Sequence, residues 1–162
     1  MKVGVLALQG ASARHAAMFA RLGAKPVAVR SPGDLDDDRL AEGQPAFGTC
    51  AGMILLGHEI LDGRSDQRCF DAIDISVRRN AFGRQVDSFE ADLAVTGAAG
   101  GPLHAVFIRA PVVETVGEGV DVLATVDGQP VLCRQGPVLV AAFHPELGDD
   151  PRLHELFLNE VV

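Results

Sequence analysis

The hexapeptide Phe47-Gly48-Thr49-Cys50-Ala51-Gly52 constrains this chain more than any other stretch. It follows Gln44-Pro45-Ala46 and precedes the apolar run Met53-Ile54-Leu55-Leu56. A short β-prone segment, a Gly-x-Cys-x-Gly turn and an apolar helix start make the pattern of a nucleophile elbow, with cysteine in the serine position. Such a turn lifts one side chain clear of a sheet edge. Gly48 and Gly52 keep its flanks free of Cβ atoms, so the backbone can bend and a substrate can approach. The helix N-terminus behind the turn favours the thiolate, which is the reactive form. The backbone N–H of Ala51 can donate to a developing oxyanion. The other reading of these six residues is a structural cysteine in a Gly-rich turn.

The elbow needs a sheet, and the chain supplies one. Val3-Gly4-Val5-Leu6-Ala7-Leu8 is a near-continuous apolar run, the pattern of a parallel strand buried on both faces. A helical stripe of Ala16, Phe19, Ala20 and Leu22 follows and stops at Gly23. Pro26 to Val29 is a second strand, which completes a right-handed βαβ opening. His15 on that helix suits a site or a partner surface as well as plain helix surface. Ser31 to Gly43, with Asp34, Asp36, Asp37 and Asp38, is too short to carry the crossover helix that a doubly wound sheet wants before the elbow strand.

Beyond the elbow, Gly57 to Asp66 reads as helix end and loop, with His58 on the surface. Ile73 to Arg78 and Ser88 to Val95 alternate with period two and read as half-exposed strands. Arg79 to Gln85 is a polar loop with two arginines, suited to a carboxylate. Ala105 to Ile108 is a strand running into Arg109-Ala110-Pro111, where a guanidinium beside a stiff turn can bind a carboxylate in bidentate fashion or serve an ordinary salt bridge. Val120 to Val126, Asp127-Gly128 and Val131 to Arg134 make a hairpin. Val138 to Phe143 is a buried strand that ends in His144-Pro145-Glu146, and Pro151 to Val162 is an amphipathic closing helix.

His144 and Glu146 are two apart, which places them on one face of an extended chain, and Pro145 biases His144 toward that geometry. A carboxylate beside an imidazole fixes its tautomer, and the imidazole takes the proton of a thiol. Parallel strands bring their C-terminal ends to one rim, where α/β sites lie. Cys50, His144 and Glu146 therefore supply nucleophile, base and orienter. Composition narrows the partners. The net charge of −8 argues against a nucleic-acid or anionic-membrane surface. Three cysteines without a CxxC imply neither a disulfide framework nor a zinc site, and they fit a reducing cytosol.

Taken together, Leu8-Gln9-Gly10-Ala11, the elbow hexapeptide, Arg79 to Gln85, Ser88-Phe89-Glu90-Ala91, Phe107 to Pro111, Arg134-Gln135-Gly136 and Phe143 to Leu147 resemble the glutaminase subunit of pyridoxal 5′-phosphate synthase, a class I, triad-type glutamine amidotransferase. The resemblance covers nearly the whole chain. It implies one domain over residues 1–162, with a three-layer α/β fold of flavodoxin-like type: a mostly parallel sheet flanked by helices, plus an antiparallel extension. It implies a cytoplasmic enzyme that hydrolyses L-glutamine to glutamate and ammonia and passes the ammonia to a (β/α)8-barrel synthase subunit in a hetero-oligomer. Cys50 would form a γ-glutamyl thioester, His144 would act as base and then acid, and Glu146 would orient it. Arg79, Arg109 and the backbone of Ile108 would hold glutamine, Ala51 N–H would serve the oxyanion, and the Gln9-Gly10 region would face the synthase. No metal or organic cofactor is needed for amide hydrolysis by a thiol triad; pyridoxal phosphate would be the product of the complex.

Two departures accompany the resemblance. The family carries a strand, a Gly-Gly-Glu-Ser loop and a helix before the elbow, and roughly thirty such residues have no counterpart between about Asp36 and Arg39. That loop binds glutamine and supplies one oxyanion donor, whose loss costs ~10²–10³ in kcat. The family also usually has glycine where Asp71 stands. A second reading is therefore a catalytically impaired subunit that binds and regulates the synthase. A third is another elbow-cysteine hydrolase, a peptidase or deglycase of similar fold, against which the two arginines argue.

Overall fold

The computed structural model describes residues 1–7, 11–30, 43–64, 66–79 and 88–161. The Gln9-Gly10 region, the acidic segment with the proposed deletion, and all of the Arg79–Gln85 loop except Arg79 lie outside the described residues.

Strand β1 (Lys2–Leu6), helix α1 (Ser12–Arg21) and strand β2 (Lys25–Val29) form the opening βαβ unit, with β1 and β2 parallel from Lys2↔Lys25 to Leu6↔Val29. Gly23, at φ 80°, ends the helix as expected. The buried face differs from the expected stripe. Met18 and Phe19 are buried and Ala20 is exposed. The strands differ too. A run expected to be covered on both faces leaves Leu6 38 % and Val27 45 % exposed. Among the described residues, no hydrogen-bonded ladder joins β1 and β2 to the sheet that carries the elbow.

That sheet runs in the order β3 (Ala46–Thr49), β11 (Val138–Ala141), β10 (Gln129–Gln135), β9 (Asp121–Val126). Its β3–β11 pair is parallel, from Val138↔Ala46 to Ala141↔Thr49, and the β9–β10–β11 part is antiparallel. Asp127 and Gly128 both take positive φ in the β9–β10 turn, as a tight two-residue hairpin turn requires. Helix α2 (Ala51–Leu56) follows the elbow and packs on β3 and β11, with Met53 and Leu56 buried. Each aliphatic side chain buried this fully contributes about 1.5–3 kcal/mol.

Two further strands go beyond the sequence pattern. Gly57–Ile60, which reads as helix end and loop, is strand β4, parallel to β5 (Ile73–Arg78). Val112–Val116 is strand β8, antiparallel to β5. With a neighbour on each side, β5 buries Ile73, Ile75, Ser76 and Val77, more than its alternation implies. Strands β6 (Phe89–Leu93) and β7 (Leu103–Phe107) pair antiparallel, with Phe89 stacked on Phe107 at 4.4 Å.

The closing helix α3 (Arg152–Leu156) continues as a wider turn through Phe157–Val161. Arg152 fixes its start. The guanidinium donates to Asp150 and to the carbonyls of Ala99, Gly101 and Pro102, the latter three at 2.7–2.9 Å. Asp71, where the resemblance leads one to expect glycine, adopts φ 51°, a conformation that favours glycine. Its carboxylate accepts from His58 Nδ1 at 2.7 Å, which raises His58 above the usual histidine value.

Candidate active site

The register of two parallel strands builds this site. Thr49 and Ala141 are paired neighbours at the ends of β3 and β11, and Cys50 N–H continues the ladder to Ala141 carbonyl at 2.8 Å. The chain then turns sharply. Cys50 sits at φ 49°, ψ −102°, a strained backbone for a residue with a Cβ. Gly48 permits that turn, because a Cβ there would stand 2.6 Å from Gly52 C and 2.7 Å from Gly52 O. Gly52 itself faces open space, so of the two glycines it is Gly48 that the fold requires.

Beyond β11, the backbone N–H of His144 donates to Val106 carbonyl of β7 at 2.9 Å. This bond fixes the imidazole above the strand ends. Its Nδ1 lies 2.7 Å from Glu146 Oε1. The expected extended geometry is not what joins the two: Pro145–Leu147 is a single 3₁₀ turn, and Glu146 reaches back across it. The neighbouring Cys50 thiol, and after it Glu146, raise His144 to about 10. Glu146 is 3 % exposed. Burial pushes its carboxyl up, but the hydrogen bond from His144 and the His15 imidazole beside it outweigh this and hold it at about 2. At neutral pH His144 therefore carries its proton.

The other candidates fall into two groups. Cys50 Sγ lies 4.0 Å from Ile108 carbonyl, so Ile108 and Arg109 border the thiol from the end of β7. Arg109 is exposed, takes φ 44°, and has no ion pair among the described residues. Ala51 opens α2, where the first N–H groups have no partner within the helix. That helix has six residues, so its dipole is small. Arg79 is engaged by other residues: its N–H donates to Asp62 at 2.7 Å and its guanidinium to Gln67 at 3.0 Å. None of its described hydrogen bonds reaches the Cys50 cluster.

Two histidines outside the predicted triad also meet there: His15, which the sequence leaves open between a site, a partner surface and plain helix surface, and His154, which it does not single out. His15 Nε2 lies 3.2 Å from Glu146 Oε2 and 3.1 Å from Thr49 Oγ1, and its Nδ1 lies 2.9 Å from His154 Nε2. The signal for His15 is its spacing: it is four residues before Phe19, on the face that α1 buries. Burial pushes His154 down to about 4.

These shifts set a pH dependence. Glu146 is held low, so its contribution to stability is full above 4.5 and is lost as pH falls through about 2. His154 is also held low, so its contribution is full above 6.5 and is lost as pH falls through about 4. His144 is held high, so its contribution is full below 6.5 and is lost as pH rises through about 10. Thermal unfolding followed against pH is expected to give a maximum near 6.5. Cys50→Ala, which removes the first cause of the His144 shift, is expected to flatten the alkaline limb.

A cysteine on a strained elbow with an imidazole–carboxylate pair at the same sheet edge belongs to the class I glutamine amidotransferase fold. A solved structure titled "Crystal structure of glutamine amidotransferase" matches with TM-score 0.86 and 44% identity, over 96% of this chain and 96% of that one. A second solved structure, described as a putative GMP synthase component from Thermoplasma acidophilum, matches in fold with TM-score 0.62 at 16% identity, over 90% of this chain and 84% of that one. The chain belongs to the SNO glutamine amidotransferase family, whose profile matches residues 37–162. Among its relatives is the pyridoxal 5'-phosphate synthase subunit PdxT of Salinispora arenicola (strain CNS-205), 48% identical over 192 residues, covering 98% of this chain and 96% of the relative. PdxT of Mycobacteroides abscessus is 48% identical over 187 residues, covering 98% and 96%.

Proposed function

We propose that this chain is the glutaminase subunit of a pyridoxal 5'-phosphate synthase and hydrolyses L-glutamine to glutamate and ammonia at Cys50. The observation that carries the reading is the convergence of Cys50, His144 and Glu146 at the end of the β3–β11 pair. The Cys50 thiolate attacks the side-chain amide carbon of glutamine. The oxyanion that forms takes a hydrogen bond from Ala51 N–H. His144, protonated and held by Glu146, gives its proton to the departing nitrogen, the C–N bond breaks, and ammonia leaves a γ-glutamyl thioester. His144, now neutral, takes a proton from water, which attacks the thioester and releases glutamate and the thiolate.

Arg109 suits the α-carboxylate of glutamine because it borders the thiol and is uncommitted among the described residues. The Ile108 carbonyl suits the α-ammonium. Arg79 takes part once it releases Gln67. The ammonia goes to a (β/α)8-barrel synthase subunit in a hetero-oligomer, whose docking face would include the Gln9-Gly10 region. The unpaired cysteines suit a reducing cytoplasm.

A second reading, an impaired subunit that mainly binds the synthase, has its own support. An alignment of 192 positions with 98% of a 162-residue chain leaves about thirty positions of the relative unmatched. The family match begins at Asp37, inside the segment that is too short. The exposure of Leu6 and Val27 suits a βαβ unit that has lost a neighbouring strand. Ammonia release from glutamine, measured with a relative's synthase subunit present, separates the readings. Turnover above that of Cys50→Ala supports the glutaminase; turnover equal to it leaves the binding subunit.

A further inference from the structure

We infer that His15 is a positioning residue for the active site: its Nε2 edge, 3.2 Å from the second oxygen of Glu146, keeps the carboxylate turned toward His144, and His154 fixes the tautomer of His15 that presents a proton there. The inference rests on the reading of Cys50, His144 and Glu146 as a triad.

Each Glu146 oxygen faces a different imidazole. Oε1 is 2.7 Å from His144 Nδ1, and Oε2 is 3.2 Å from His15 Nε2. The carboxylate side chain has no solvent exposure and that of His15 is 14 % exposed, so water does little to orient either. His15 is brought there by α1, which packs on the Pro145–Leu147 turn. Its Nε2 is also 3.1 Å from Thr49 Oγ1, so one proton is shared between two oxygens and Oε2 receives no well-aligned bond.

The tautomers follow from what is buried. His154 is 0 % exposed, with Phe19 and Phe47 against its ring at 5.0 and 5.5 Å, and its Nδ1 has no partner among the described residues. A proton on Nδ1 would be a buried N–H without an acceptor, so the proton sits on Nε2. From there it donates to His15 Nδ1 at 2.9 Å. His15 Nδ1 must then be the acceptor, which leaves its proton on Nε2, facing Glu146. The donors thus run in one direction, from His154 to His15 to Glu146, and the carboxylate takes a second donor from His144. Releasing Oε2 would let the carboxylate swing away from His144 and weaken the field that keeps the imidazolium beside Cys50.

Alkylation of Cys50 by iodoacetamide against pH, read from the mass of the Cys50 peptide, tests this without requiring turnover. In His15→Leu the pH of half-maximal alkylation is expected to rise by about one unit, a tenfold change in the balance. His15→Gln, whose amide can donate to Oε2, is expected to keep the wild-type curve. His15→Asn, whose shorter amide replaces Nδ1 and falls short of Oε2, is expected to behave like His15→Leu. Thermal melting establishes that each variant is folded. A wild-type curve for both His15→Leu and His15→Asn, or an equal shift in His15→Gln, overturns the inference while a shifted His144→Ala curve leaves the triad standing. A wild-type curve for His144→Ala overturns the triad and this inference with it.

Discussion

Grafting a relative's strand, Gly-Gly-Glu-Ser loop and helix between Asp36 and Arg39 is expected to raise kcat for glutamine hydrolysis by ~10²–10³. The magnitude follows from chemistry. On the proposed mechanism Ala51 N–H supplies one oxyanion donor, and the grafted loop would add a second. A preorganised donor that strengthens as charge develops lowers the barrier of the chemical step, so the gain belongs in kcat. The graft is also expected to cover Leu6 and Val27, which stand 38 % and 45 % exposed. A rise in melting temperature would accompany the rise in rate. Steady-state ammonia release by the native and grafted chains, each with the same synthase subunit, checks the first part, and calorimetry checks the second. Equal kcat values would mean that this chain completes its oxyanion site by other means.

Gly48→Ala is expected to destabilise the protein by ~3 kcal/mol, the upper end for overpacking, because the new methyl meets backbone atoms that cannot rotate away as well as a buried leucine. Its nearest neighbours would be Gly52 C at 2.6 Å, Gly52 O at 2.7 Å and Leu56 Cδ1 at 2.7 Å. Any relief moves α2 relative to β3, and with it Cys50. A shift on the order of 1 Å at a reacting atom costs about 10²-fold in rate. Gly52→Ala is the control: its Cβ meets nothing within 4 Å, and alanine at a helical position is favoured by roughly 0.5–1 kcal/mol. Urea unfolding of the two variants should therefore move in opposite directions. Equal losses would mean that the close approach at Gly48 is not what sets the cost of a Cβ in the elbow.

The chemistry of this chain is more legible in sequence than its sheet. Gly48, Cys50 and the His144–Glu146 pair stand out because each demands an unusual local structure or partner. The β9–β10 hairpin is legible for the same reason, since Asp127-Gly128 specifies a turn that few other dipeptides allow. Strand β4 is not. Gly57-His58-Glu59-Ile60 has one large apolar residue, and only pairing with β5 makes it a strand, which is a tertiary cause that no window on the sequence contains. Strand β8 is legible in principle: Val112, Val113, Thr115 and Val116 are β-branched, but Pro111 draws attention to the turn instead of to a strand starting after it. His15 lies between. Its place on the buried face of α1 is readable from Phe19, but that it meets Glu146 depends on how α1 packs against a turn some 130 residues away.

The most direct measurement is the mass of the Cys50 peptide from a glutamine reaction quenched in acid, with the synthase subunit present. A γ-glutamyl adduct on Cys50 in the native chain, lost in Cys50→Ala together with ammonia release, is the predicted result. Ammonia release that persists in Cys50→Ala, or an adduct confined to another residue, would contradict the account.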